Sequence, residues 1–259
     1  MMDDPALLLA SLPAWAFAAV LLLARVGAAC SLLPGIGEAE LPATVRLLFV
    51  CAFSVLIFPG VMPLMPAVPA DVPHILLMVA AELFTGLWLG WLTRLIMMAL
   101  PMAGQMVAMA IGATNVLQPD AMLGAGASAL SRLFGLAAPV LILAAGLHGW
   151  TLTALAGTYR LVPPGQFLPI ADTTATVVTA VGEAFALALR LAGPFLMAAL
   201  LFHVSIGLVA RLVPQLQIYF AAAPGQIAAG LALLAVAMLA ISGTWLEVVR
   251  GSLAALPGL

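Results

Sequence analysis

The chain of 259 residues is 65% apolar and 7% charged, with a mean hydropathy of +1.25. An average soluble domain carries about 25% charged residues, so this composition is that of a membrane protein. All eight basic residues are arginine, which removes Schiff-base chemistry, pyridoxal phosphate attachment and a P-loop lysine. A net charge of −2 offers no basic face to nucleic acid.

Six apolar blocks follow one another, at about 6–24, 43–58, 74–111, 133–156, 177–212 and 225–249. The start, Met1-Met2-Asp3-Asp4-Pro5, is acidic where a secretory signal needs positive charge. Residues 6–24 therefore read as a retained first helix with Arg25 at its far end. The positive-inside rule then puts the N-terminus outside and Arg25 on the cytoplasmic side. Cys30 and Cys51 show no metal or redox spacing and read as small buried hydrophobes. A loop with Arg25, Glu38, Glu40 and Arg46 leads into the second block. Beyond it the proline-rich stretch 59–73 holds Pro59, Pro63, Pro66, Pro69 and Pro73. It reads as a non-helical outer loop, because each proline lacks an N–H and disfavours helix in the residue before it.

The third block carries Glu82, Arg94 and Pro101. It also carries Met98, Met102, Met106 and Met109, at spacing that makes one helical stripe if Pro101 leaves the helix intact; the stripe reads as ordinary core or lipid contact or, flexible thioethers being compliant, as a seal. Residues 112–132 are glycine-rich and polar, with Asn115, Gln118-Pro119-Asp120, Gly124 and Gly126, and read as a loop between blocks. The fourth block contains Pro139. The fifth, 177–212, would span roughly 50 Å as one helix, against about 30 Å of bilayer hydrocarbon. It holds Glu183, Arg190 and Pro194, while Pro214 and Pro224 bracket its connection to the sixth. A helix so long and apolar fits packing against other protein over most of its length. Main chain freed by proline or glycine at membrane depth must be satisfied by protein or by water in a cavity.

Catalytic patterns are missing from the sequence. His74, His148 and His203 form no HExxH arrangement, and there is neither a GxSxG elbow nor a GxGxxG turn. A satisfied polar contact is the expected role of each histidine. Glu82, Arg94, Glu183 and Arg190 lie inside apolar blocks, where a charge must be paired or hydrated. They read either as packing-interface ion pairs or as the lining of an aqueous path. Glu183 and Arg190 share a helix face but stand about 10 Å apart along the axis. Gly86/Gly90, Gly104/Ala108/Gly112 and Ala145/Gly149 have the small-xxx-small spacing of close helix packing.

Five phrases, in order, carry a family resemblance. Ala24-Arg25-Val-Gly27 comes first, with Leu33-Pro34-Gly35-Ile-Gly37 and Leu41-Pro42-Ala-Thr-Val45-Arg46 after it. Glu82-Leu-Phe-Thr-Gly86-Leu-Trp-Leu-Gly90 follows. Then come Ala103-Gly104-Gln105 through Gly112 with Gln118-Pro119-Asp120, and Arg160-Leu-Val-Pro163-Pro164-Gly165. Last is Arg211-Leu-Val-Pro214-Gln215-Leu-Gln217-Ile-Tyr219-Phe220, with Pro224 beyond. Together they resemble the FliR family of flagellar export-gate proteins, called SctT in injectisomes, over nearly the whole chain. The chain departs from the family's usual Asp-Pro at Pro119-Asp120, from an acidic residue at Gln105, from Asn at Gln217 and from Lys near Gln226.

The resemblance implies an all-α, multi-pass, non-enzymatic subunit without cofactors, in the bacterial inner membrane at the base of a flagellum or injectisome. Its helices would form kinked, inclined hairpins in a gate shared with FliP/SctR-type and FliQ/SctS-type subunits and contacted by an FlhB/SctU-type switch protein. Residues 1–172 would be a FliP-like unit with a central plug loop, and 173–259 a FliQ-like hairpin. Unfolded proteins would pass through the shared pore. Gly112, Asn115, Val116, Leu117, Met122, Leu123, Gly124 and Gly126 would plug it when closed, backed by a seal of Met98, Met102, Met106 and Met109. Glu82, Arg94, Glu183, Arg190, Arg211, Pro214 and Gln215 would serve assembly, with charges facing partner subunits and membrane lipid around the remaining surface. The alternative is a stand-alone six-helix secondary transporter with Glu82, Arg94 or Arg190 at a midplane solute site.

Overall fold

A computed structural model describes residues 5–114, 128–212 and 218–259. Among the described residues the regular structure is wholly helical. In chain order the helices are α1 (Pro5–Cys30), α2 (Ala43–Val61), α3 (Val72–Ala110), α4 (Ala129–Ala144), α5 (His148–Leu161), α6 (Ile170–Leu212) and α7 (Ile218–Ala254), with a short 3₁₀ turn at Met62–Leu64 after α2. Helix is what a bilayer demands of so apolar a chain, because every main-chain N–H and C=O must find its partner inside the segment. Five of the helices are long and apolar enough to cross a membrane, and the bent pair α4–α5 makes a sixth candidate.

Interior prolines do not end these helices. Pro13, Pro59, Pro101, Pro139, Pro194 and Pro224 all lie within helix, each removing one i→i−4 bond. Pro59 thus belongs to α2, which runs beyond the expected end of its block. Pro224 lies inside α7, so the connection from α6 is shorter than the two prolines suggested. The fourth block is two helices rather than one, bent by 76°. Gly146 makes the break with φ +71°, a left-handed conformation that favours glycine. The fifth block is longer than expected: α6 has 43 residues, about 64 Å at 1.5 Å per residue.

The chain divides into two compact units whose boundaries fall inside helices. The first comprises Met1–Arg94, Ile142–Thr179 and Ser252–Leu259. Its packing rests on glycines where α3 crosses α1. A Cβ on Gly86 would collide with the Arg25 carbonyl oxygen, and one on Gly90 would sit 2.8 Å from that of Ala29. The i, i+4 glycine pair therefore lets the two backbones touch. Phe17 and Leu21 of α1 meet Met78 of α3 in an apolar cluster beside this crossing.

The second unit comprises Leu95–Leu141 and Ala180–Gly251. Here Gly104 of α3 faces α4, where a Cβ would come within 2.9 Å of the Leu130 carbonyl oxygen. Ser131 Oγ donates to the Pro101 carbonyl at 2.9 Å. The pair Ala145/Gly149 does not act in the same way, since among the described residues nothing lies within 4 Å of a Cβ built on Gly149. Cys30 is buried, whereas Cys51, expected to be buried, is exposed.

Candidate functional site

Arg25 and Glu82 form the most enclosed polar centre of the first unit, both with fully buried side chains. Arg25 Nε donates to Glu82 Oε2 at 2.7 Å and Nη2 to Oε1 at 2.9 Å, a two-pronged pair. The rest of the guanidinium is also used. Nη1 donates to Thr158 Oγ1 at 3.3 Å and Nη2 to the Val162 carbonyl at 3.1 Å, while the Tyr159 ring lies 4.2 Å below. Thr158 can accept because its own hydroxyl donates to the Leu155 carbonyl at 2.6 Å.

Glu82 Oε1 takes a further 2.7 Å bond from the Gly165 N–H. Gly165 stands at φ +83°, and a Cβ there would meet Met78 Cε at 2.6 Å. One turn of α1, one of α3 and the turn after α5 are thereby tied at a single buried point. Arg25 is not an exposed charge at a helix end, as its place at the end of the first block suggested; it is buried, and α1 continues past it to Cys30. Glu82, expected to face partners, is enclosed by its own chain.

A second ion pair joins Arg94 of α3 to Glu38, with Nη1–Oε1 at 3.3 Å and Nη2–Oε2 at 3.2 Å, both partly buried. Arg46 of α2 binds the same turn through its main chain, Nη2 to the Glu38 carbonyl at 2.7 Å and Nε to Ile36 at 3.2 Å. The Leu33–Gly37 turn and Arg46, read as parts of one phrase, therefore meet in space.

In the second unit the stems of the central loop are held by two glutamines. Gln226 Nε2 of α7 donates to the Ala110 carbonyl, the last of α3, at 3.0 Å. Gln105 Oε1 of α3 accepts from the Ser128 N–H at 2.9 Å, and Ser128 Oγ accepts from the Ser131 N–H at 3.1 Å, capping α4. Gly112, with φ +74°, turns the chain out of α3. The other residues assigned to the plug, Asn115, Val116, Leu117, Met122, Leu123, Gly124 and Gly126, lie outside the described residues, as do Pro214 and Gln215.

Helix α3 passes through Pro101 unbroken, so the methionine stripe does lie on one face. Met98 and Met109 are exposed and Met102 and Met106 half-buried, while Ala103, Val107 and Ala110 face the interior. Glu183, Arg190 and Arg211 are exposed on α6, and among the described residues no ion pair joins Glu183 to Arg190. Of the histidines, His203 has Nδ1 2.6 Å from the Ala199 carbonyl oxygen, as a satisfied polar contact would. His74 is exposed, and the Nδ1 of His148 is buried without a partner among the described residues.

Sequence reasoning placed Glu82 among the assembly charges and missed Arg25, Thr158, Tyr159 and Gly165 around it. A usable signal existed: a carboxylate in an apolar block needs a cation, and only eight residues could supply one.

These features define an all-helical, multi-pass membrane protein whose buried polar groups hold its own main chain in place. Its sequence matches the family described as bacterial export proteins, family 1, over residues 16–251, and the chain belongs to that family, the FliR/SctT family. It is 30% identical over 231 residues to the flagellar biosynthetic protein FliR of Caulobacter vibrioides, covering 89% of this chain and 92% of that one. It is 26% identical to FliR of Escherichia coli over 83% of this chain and 82% of the relative. The corresponding protein of Bacillus subtilis is 24% identical over 85% of each.

Proposed function

We propose that this chain is a non-enzymatic subunit of the flagellar type III protein-export gate in the bacterial inner membrane, forming with FliP-type and FliQ-type subunits the pore through which unfolded proteins leave. The observation that carries the reading, beside family membership, is the surface of α6 and α7. Only 6% of the apolar window of α6 and 11% of that of α7 is buried within the chain, against 44% for α1 and for α3. At about 64 Å, α6 is twice the hydrocarbon thickness, so lipid alone does not cover it. Partner subunits do. Residues 173–259 then act as a FliQ-like hairpin and 1–172 as a FliP-like unit, with an FlhB-type switch protein docking on the assembly.

In this reading Glu183, Arg190 and Arg211 meet partner chains, and Pro214 and Gln215 set the angle of the last hairpin. The transporter alternative needs a charge at an open solute site. It gains nothing from Glu82 or Arg94, which Arg25 and Glu38 already occupy.

The test is purification of the intact assembly through this chain. Expressed alone, the chain aggregates; expressed with two neighbouring small membrane proteins, it enters a large discrete complex whose subunits mass spectrometry identifies. A well-behaved monomer that moves a small solute by itself overturns the proposal.

Residues 113–125 serve as the plug of the closed pore and Met98, Met102, Met106 and Met109 as a compliant seal, flexible thioethers being able to close around irregular shapes. Shortening the loop while keeping Gly112 and Gly126 raises conductance or dye entry in cells with assembled, idle gates. Alanine at the four methionines leaks less, because neighbouring subunits share the seal. Normal assembly with unchanged permeability in the shortened variant makes the segment an ordinary connector.

A further inference from the structure

We propose that Arg160 binds the phosphate of an anionic membrane phospholipid, in a pocket that the segment after α7 closes against α5. Both elements belong to the first unit. Two independent features meet there, a cation without a partner and a cavity with walls of its own.

Arg160 stands in the last turn of α5 and is exposed. Among the described residues it makes neither an ion pair nor a hydrogen bond, in contrast to Arg25 and Arg94. A last-turn arginine offsets the negative end of its own helix, but that effect needs no pocket. Helix α5 also closes the bent sixth candidate span, and Pro163 and Pro164 follow almost at once. The guanidinium therefore stands where a span ends, the level of the lipid headgroups. Its planar fork can donate to two phosphate oxygens together.

The cavity is made by main chain resting on main chain. Gly258 adopts φ +100°, which favours glycine, and its carbonyl oxygen lies where a Cβ of Gly157 would stand. A Cβ on Gly258 would in turn come within 2.9 Å of the Thr158 nitrogen. The two glycines let the segment lie directly on α5, and the buried Leu253 and Leu256 anchor it. Beside this contact is a pocket of about 450 Å³, lined by Thr153, Ala156, Arg160 and Leu161 of α5 and by Gly258 and Leu259. Ligand pockets run to roughly 300–1,000 Å³.

Arg160 is the one charged side chain of the described lining. Thr153 already donates to the Gly149 carbonyl at 2.9 Å, and Leu161 and Leu259 present exposed apolar surface. One cation against an apolar wall selects an amphipathic anion. The phosphate lies on Arg160, and the first methylenes of the lipid lie on Ala156, Leu161 and Leu259. A free phosphate uses the charge and leaves that wall bare.

The site lies wholly on this chain, so its test does not depend on which subunits surround it. The intact membrane complex purified through this chain is titrated in detergent with dioleoyl phosphatidylglycerol or dioleoyl phosphatidylcholine, and native mass spectrometry counts the lipid retained. The original prefers phosphatidylglycerol. Arg160→Gln raises the apparent Kd for that lipid about ten-fold, as loss of a hydrogen bond to a charged group predicts, and melts like the original in lipid-free detergent. Arg160→Lys keeps a charge and keeps the preference. Deleting Gly258 and Leu259 keeps the arginine but removes one wall, and weakens binding several-fold. Unchanged retention in Arg160→Gln, or equal retention of both lipids by the original, overturns the site. Displacement of the lipid by millimolar glycerol phosphate makes this a soluble-anion site and overturns the lipid assignment. Loss of complex in Arg160→Gln with unchanged lipid per complex makes Arg160 a subunit contact and overturns it too. Full binding after the deletion overturns the part given to Gly258 and Leu259.

Discussion

Arg25 and Glu82 illustrate how much a single buried pair can decide in a chain this poor in charge. Removing one member of such a pair leaves an uncompensated buried charge and costs about 3–5 kcal/mol. Arg25→Leu therefore reduces the folded fraction in detergent sharply, read as thermal aggregation or loss of the monodisperse peak. Changing both residues to leucine recovers much of that loss, because the naked carboxylate goes too. It does not recover all of it, since the Gly165 N–H and the Val162 carbonyl lose their partners. Equal melting of the single and double variants would show that the charge pair is not the reason for the effect.

Gly165→Ala attacks the same point from the main chain, combining strain at positive φ with a clash on Met78. It costs about 1–3 kcal/mol, measurable in the same melt. The sequence carried Arg25, Glu82, Val162 and Gly165 of this node inside phrases that stood out for other reasons, but not Thr158 or Tyr159. It could not show that residues 57 and 137 positions from Arg25 converge on its guanidinium, because long-range pairing leaves no trace in local periodicity.

At the scale of elements, hydropathy located the blocks well because membrane helices must be continuous and apolar. It failed where apolar character continues through a change of direction. The α4–α5 bend falls between Ala144 and His148, and Gly146-Leu147-His148-Gly149 was its one visible mark. Prolines misled in the opposite sense: Pro59 and Pro224 suggested helix ends, yet neighbouring bonds carry the helix through both. Small-xxx-small spacing was right only where a neighbour exists to use it. Gly86→Ala forces α3 off α1 at the Arg25 carbonyl and costs about 1–3 kcal/mol of overpacking strain. Gly149→Ala meets nothing within 4 Å among the described residues and leaves the chain as stable as before or slightly more so. Comparing their melting temperatures checks the crossing directly; similar values would mean that α1 and α3 do not pack at these glycines.

For the whole molecule the decisive quantity is surface left uncovered. Leu196, Met197, Leu200, Leu201, Val204 and Leu208 are all exposed along α6, a contiguous apolar face that the described part of this chain does not cover. This much was legible from length alone, since the mostly apolar block 177–212 is longer as one helix than a bilayer is thick; in the proposed gate, other chains cover it. The glycines of α6 allow a sharp test. Among the described residues nothing lies within 4 Å of a Cβ on Gly182, Gly193 or Gly207, so their own described surroundings give no reason for them to be small. In a membrane assembly, small residues let partner helices approach closely. Gly207→Leu should then leave the chain's own helix content and its first unit undisturbed, while lowering the recovery of complex with the two small partners several-fold. The readout is the ratio of complex to free chain on a native gel, with Gly149→Leu as a control away from α6. Complex yield unchanged by Gly207→Leu would mean that this face of α6 looks onto lipid or an aqueous space, and the partner-covered helix on which the gate assignment leans would have to be given up.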